Sequence, residues 1–162
     1  MRIGVADTGP IHYLELIGQS EVLPALFEKI IIPSAVRDEL DRAQTPAAVR
    51  NRIQSPPGWL ELYPYLDSPI DEALANLDEG ERAVLVLAAS LGADLLLLDD
   101  RQGVRVARNK GFRVIGTLRV LQLAARRGLL DLRDAFERIK DTNFRYRQQI
   151  MDELLNEDAE RI

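Results

Sequence analysis

Ala93-Asp-Leu-Leu-Leu-Leu-Asp-Asp100 sets an unbroken apolar run, Leu95 to Leu98, directly before two carboxylates. The run does not alternate and is too short for a membrane span, so it reads as a strand buried on both faces of a parallel sheet. Ligands of open parallel sheets collect outside the carboxyl ends of the strands. Asp99 and Asp100 stand at that end, ahead of a helix expected over Arg101 to Lys110.

Outward from this run the chain alternates strands and helices. Ile3 to Ala6 reads as a short strand ending at Asp7, and Thr8-Gly9-Pro10 turns it into a helix that Gly18 stops. Ser20 is a candidate cap for a helix over Glu21 to Glu28, Lys29 to Pro33 is a second strand, and Ser34 is a candidate cap for the helix holding Glu39. Thr45-Pro46 opens a helix to about Gln54, Ser55-Pro-Pro-Gly58 breaks it, and Trp59 to Tyr63 reads as an edge strand. Arg82 to Leu91 follows as an apolar helix, and Phe112 to Ile115 as a strand. Thr117 then caps a helix ending at Gly128. Beyond Asp131 the chain reads helical with a break near Thr142-Asn143, and its last dozen residues read as a mobile tail or a docking helix. Such alternation is the signature of crossover connections and a parallel α/β sheet.

With 162 residues the chain reads as one domain able to bury its own core. It contains no cysteine, which excludes disulfides, thiol nucleophiles and zinc-thiolate sites, and its single histidine argues against multi-histidine metal sites. With neither a signal-like start nor a long apolar span, it reads as cytoplasmic and soluble. The net charge is -5, but it is unevenly distributed. Residues 1 to 100 hold 7 basic and 17 acidic groups, whereas residues 101 to 127 hold 8 basic and no acidic ones. An acidic body beside a basic flank suits a site that cuts a polyanion, and it equally suits a set of solvated helix faces.

Asp7, Glu39, Glu81 and Asp99 are the acids that such a fold can gather. Oxygen ligands suit Mg2+ or Mn2+, and a bound divalent ion can activate water and neutralise a phosphate. Two carboxylates about 4 Å apart repel by roughly 4 kcal/mol at an effective dielectric near 20, so a gathered cluster calls for a cation or for raised pKa values. Each acid also has a local explanation. Asp7 or Thr8 could cap the helix after Pro10, and Glu39 could be a solvated residue balanced by Arg42. Asp78-x-x-Glu81 matches a capping box. Asp100 reads as a cap with Asp99 left free, and is also a possible further ligand. Thr8 could position water or phosphate. Arg101 and Arg105, one turn apart, could meet phosphates or simply face solvent. His12 reads as a packed or surface residue.

Four stretches in order resemble the PIN-domain family, and within it the nucleic-acid-binding proteins related to VapC-like toxins. They are Val5-Ala-Asp-Thr-Gly-Pro10, Ile32-Pro-Ser-Ala-Val-Arg-Asp-Glu-Leu40, Leu77-Asp-Glu-Gly-Glu-Arg-Ala83 and Leu97-Leu-Asp-Asp-Arg101, the last followed by Val104 to Thr117. The resemblance implies a three-layer α/β/α fold with a central parallel sheet, with a catalytic domain over 1–130 and a helical extension of it over 131–162. It also implies a Mg2+- or Mn2+-dependent ribonuclease site. Position by position it places the acids on Asp7, Glu39, Glu81 and Asp99, with Thr8 beside the first and Asp100 as an additional ligand. Glu81 stands where family members commonly carry aspartate. An RNA substrate, a cognate antitoxin and a homodimer or higher homo-oligomer complete what the resemblance implies. Two rival expectations remain: a PIN-like binding module without activity, and a receiver-like phosphoacceptor domain.

Overall fold

The computed structural model describes residues 2–64, 71–93 and 95–160. Five strands form one sheet: β1 (Ile3–Ala6), β2 (Lys29–Pro33), β3 (Leu60–Tyr63), β4 (Leu95–Leu97) and β5 (Arg113–Ile115). Their spatial order is β3-β2-β1-β4-β5 and every pairing is parallel. The leucine run thus lies inside the sheet, with Leu96 opposite Val5 on one side and Val114 on the other. Leu96, Leu97 and Val5 are fully buried, as is Ile30. Successive strand residues face opposite ways, so consecutive buried residues require cover on both faces.

Helices supply that cover. The first half of the chain contributes α1 (Thr8–Leu16), α2 (Val22–Leu26), α3 (Ser34–Leu40) and α4 (Ala47–Gln54), and a short 3-10 turn lies at Glu72–Leu74. The second half contributes α5 (Glu79–Leu91), α6 (Arg101–Asn109), α7 (Thr117–Arg126), α8 (Leu132–Lys140) and α9 (Gln148–Ala159). The expected three-layer α/β/α architecture is therefore present. The order of strands also removes the receiver-like expectation, because receiver domains order their strands 2-1-3-4-5. Gly92 closes α5 with φ 66°, a left-handed conformation that side-chain-bearing residues rarely adopt.

Several expected caps do other work. Ser34 and Thr117 are the first residues of their helices, not caps, and neither helix start has a side-chain capping bond. Ser20 donates to the carboxylate of Glu15, and Thr45 Oγ1 donates to the carbonyl of Glu39 at 3.4 Å. For Ser20 and Thr45 the hydroxyl thus donates to an acceptor a few residues back in the chain in place of capping the helix ahead.

The end of the chain docks. Met151 of α9 is fully buried, and Gln122 of α7 donates to the carbonyl of Leu154 and to Glu157, each at 3.0 Å. Of the two expectations, a mobile tail or a docking helix, the second holds: α9 is packed and ends at Ala159, and residues 161 and 162 lie outside the described residues. Among the described residues no helix is long and apolar enough to cross a membrane.

Candidate active site

Chain order reverses between β1 and β4: the strands after β1 are laid on one side and β5 on the other. The connections leaving β1 and β4 diverge there and open a crevice at the carboxyl ends. Asp7 follows β1 and Asp99 lies two residues beyond β4, so both stand at this crevice. Asp7 is 9% exposed and is the N-cap residue of α1, yet its side chain makes no capping bond. Its carboxyl pKa is raised to about 7, chiefly by burial, against the lowering pull of the Thr8 N–H, with Asp78, Glu39 and Asp99 adding repulsion.

Gly80 brings three of these acids together. A Cβ placed on it would stand 3.2 Å from Asp7 Oδ1, 3.3 Å from Glu39 Oε2 and 3.5 Å from Asp78 Oδ1. Glu39 is half-buried, and burial, then Asp78, raise its pKa while Arg42 lowers it. It is therefore not a freely solvated helix residue. Asp78 is a candidate site residue by this proximity, one that sequence reasoning took only for a cap. The glycine inside Asp78-Glu-Gly-Glu81 was the available signal, since a small residue at the start of a helix admits close approach by other groups.

Asp78 and Glu81 do form the reciprocal capping box. Asp78 Oδ1 accepts from the N–H of Glu81 at 2.8 Å, and Glu81 Oε1 accepts from the N–H of Asp78 at 3.2 Å. Capping uses one oxygen of Glu81 only. Its Oε2 is buried without a hydrogen-bond partner, beside Gly103, where a Cβ would stand 2.5 Å away. Burial is the first cause raising the Glu81 pKa to about 8, followed by its contact with Asp78. Asp100 caps α6 by accepting from Gln102 N at 3.0 Å and Gly103 N at 3.1 Å, as its position suggested.

Asp99 is held differently. Thr117 donates its backbone N–H to Oδ1 and its hydroxyl to Oδ2, each at 2.7 Å. A Cβ on Gly9 or on Gly116 would stand 2.8 Å from a carboxylate oxygen of Asp99, so both glycines give it room. Burial raises its pKa and the two Thr117 bonds oppose the rise. Thr117→Val keeps the shape of a fully buried side chain but removes the hydroxyl bond to a buried oxygen of Asp99. It should destabilise the fold by about 1–3 kcal/mol, read as an earlier urea midpoint with an unchanged m-value.

Thr8 and Glu39 also line a cavity of about 290 Å³ together with Gly9, His12, Tyr13 and Arg42. His12 is half-buried there, and burial lowers its pKa. The basic flank separates into two parts. Arg101 and Arg105 lie exposed on α6, which starts at the crevice, as does Arg108. Arg119 and Arg126 instead lie 4.0 and 3.8 Å from Glu157, Lys110 pairs with Asp71 at 2.6 Å, and Arg127 donates to the carbonyl of Ala25. Residues 101 to 127 are thus not one phosphate-facing strip.

Among the described residues no three acidic or imidazole groups already converge at ligand distance. The donor set nevertheless suits a hard divalent cation. It is all carboxylate, the pKa values of Asp7, Glu39, Glu81 and Asp99 are raised, and Glu81 Oε2 lacks a partner that burial demands.

The sequence profile of the PIN domain matches residues 3–160. This chain belongs to the PIN-domain family. PIN domains are generally nucleases and generally use divalent metal ions. The fold is similar to that of a PilT N-terminus domain protein from the hyperthermophilic archaeon Sulfolobus solfataricus P2. The two share 13% identity at a TM-score of 0.52, over 90% of this chain and 99% of the other. No functionally curated protein matches the sequence.

Proposed function

We propose that this PIN domain is a Mg2+- or Mn2+-dependent endoribonuclease that hydrolyses RNA phosphodiesters. The observation that carries the reading is Asp7: buried at the carboxyl end of β1, free of capping duty, and crowded by Glu39 and Asp78 around Gly80. Asp7 and Glu39 would hold the ion, with Asp78, Glu81 and Asp99 around them and Asp100 at the rim. A divalent cation there supplies charge neutralisation for the phosphate and a more acidic water. Thr8 offers a hydroxyl for orienting water or phosphate, and Gly9 keeps the approach to Asp99 open. Exposed Arg101 and Arg105 receive the backbone of the strand.

The toxin-like role, a cognate antitoxin, self-association and a cytoplasmic location rest on the resemblance and on composition, and are carried as parts of this proposal. So is the division into a catalytic portion over 1–130 and a helical extension. A second reading, an inactive binding module, is favoured by one observation: Thr117 bonds to both oxygens of Asp99, so that carboxylate is already held without an ion.

Calorimetric titration with Mn2+ and RNA cleavage assays separate the two readings. The nuclease reading expects saturable Mn2+ binding, cleavage with Mg2+ or Mn2+, and loss of cleavage in EDTA. Absence of both binding and cleavage would leave the module reading standing.

A further inference from the structure

We propose that the exposed Arg145-Tyr146-Arg147 segment is a platform for single-stranded RNA, set beside the acidic crevice; this extends the ribonuclease reading. The connection between α8 and α9 is pinned in place. Thr142 Oγ1 donates to the carbonyl of Ile139 at 2.6 Å and accepts from the N–H of Phe144 at 3.1 Å. Phe144 is buried and meets Tyr13 edge-on, with centroids 5.0 Å apart and an interplanar angle of 82°. Tyr13 also donates its hydroxyl to Asn143 Oδ1 at 2.9 Å. The segment is thereby fastened to α1 where Thr8, Gly9 and Tyr13 line the cavity shared with Glu39. Burial raises the Tyr13 pKa, Asp99 raises it further and Arg145 lowers it, so the phenol lies within electrostatic reach of both the site and the segment.

Beyond Phe144 the next three side chains turn outward. Arg145 and Arg147 are exposed, and Tyr146 keeps 40% of its surface accessible with Lys140 Nζ 6.0 Å from its ring centre. Neither arginine makes an ion pair among the described residues. Stability does not explain the charges. Arg147 is the N-cap residue of α9, which has no capping bond and no acid in its first turn, and a cation at that end opposes the helix dipole. Two arginines flanking an exposed tyrosine offer phosphate, base and phosphate contacts in succession, the chemistry that holds unpaired strands. A base must be unstacked to lie on the ring, which selects single strands over duplex.

The test is fluorescence anisotropy with a fluorescein-labelled oligouridine in EDTA, so that binding is read without cleavage. Tyr146→Ala should weaken binding roughly tenfold, whereas Tyr146→Phe, which keeps the ring, should bind as the parent does. Replacing both arginines by alanine should flatten the dependence of log K on log salt by about 1.4. A labelled RNA duplex of the same length should bind more weakly than the single strand. Parent-like binding by Tyr146→Ala with an unchanged salt slope in the arginine variant would overturn the proposal, as would equal affinity for the duplex. Because no cation is present, a chain that binds here but never cleaves overturns the nuclease reading alone.

Discussion

Asp7→Asn should reduce divalent-cation-dependent RNA cleavage by about a thousandfold while leaving the fold intact. The substitution keeps the size of a side chain that is 9% exposed, so packing around β1 and α1 changes little. What it removes is the charge at the meeting point of Glu39, Asp78 and Asp99. Cation assistance is worth several kcal/mol, and each 1.36 kcal/mol is tenfold in rate. The variant should also melt higher than the parent in EDTA at pH 8.5, because it no longer buries a charge among like charges. The measurements are initial cleavage rates with saturating Mg2+ and parallel thermal melts. Parent-level cleavage by a folded Asp7→Asn protein would remove Asp7 from the chemistry and end the proposed mechanism.

Without divalent cation, the protein should lose stability as pH rises from 5 to 8.5. Asp7 moves from 3.8 to about 7 on folding and Glu81 from 4.5 to about 8. Both folded-state values lie above the unfolded ones, so the folded state binds more protons in between. The stability that these groups contribute is fully present below about pH 4 and is lost as pH rises through the folded values near 7 and 8. For Asp7 the shift corresponds to a few kcal/mol at about 1.4 kcal/mol per pH unit, and Glu39 and Asp99 move in the same direction. For a chain of this size that amounts to a fall in Tm of about 5–15 °C. Saturating Mg2+ at pH 8.5 should recover about 3 kcal/mol at a hundredfold excess over Kd. Calorimetric melts at both pH values, with and without Mg2+, check this. A Tm that rises with pH in EDTA, or ignores Mg2+, would contradict the acidic cluster as a cation site.

Much of the frame was legible from residues alone because it depends on local pattern. The leucine run before Asp99, the isoleucine run before Pro33, and the glycines after α1, α5, α6 and α7 state where strands sit and helices stop. These signals act through burial and through backbone freedom, which neighbours in sequence largely decide. The positions of Asp7 and Asp99 at strand ends followed at once. Asp78 was hidden because its capping role fully accounted for it, and nothing within the chain segment says that Asp7 and Glu39 come to lie against Gly80. Thr117 was misplaced for the same reason: its nearest helix offered free N–H donors for its hydroxyl to cap, but Asp99, eighteen positions earlier in the chain, instead accepts from both its N–H and its hydroxyl.

Sequence by itself thus determined the parallel sheet, the order of its elements and which acids end its strands, since periodicity and turn chemistry are local. Tertiary structure decided which carboxylates crowd one another, which arginines α9 occupies through Glu157, and that Tyr13 ties the Arg145 segment to the crevice. These depend on strand order and helix docking, through contacts between residues far apart in the chain, and local patterning carries no record of them.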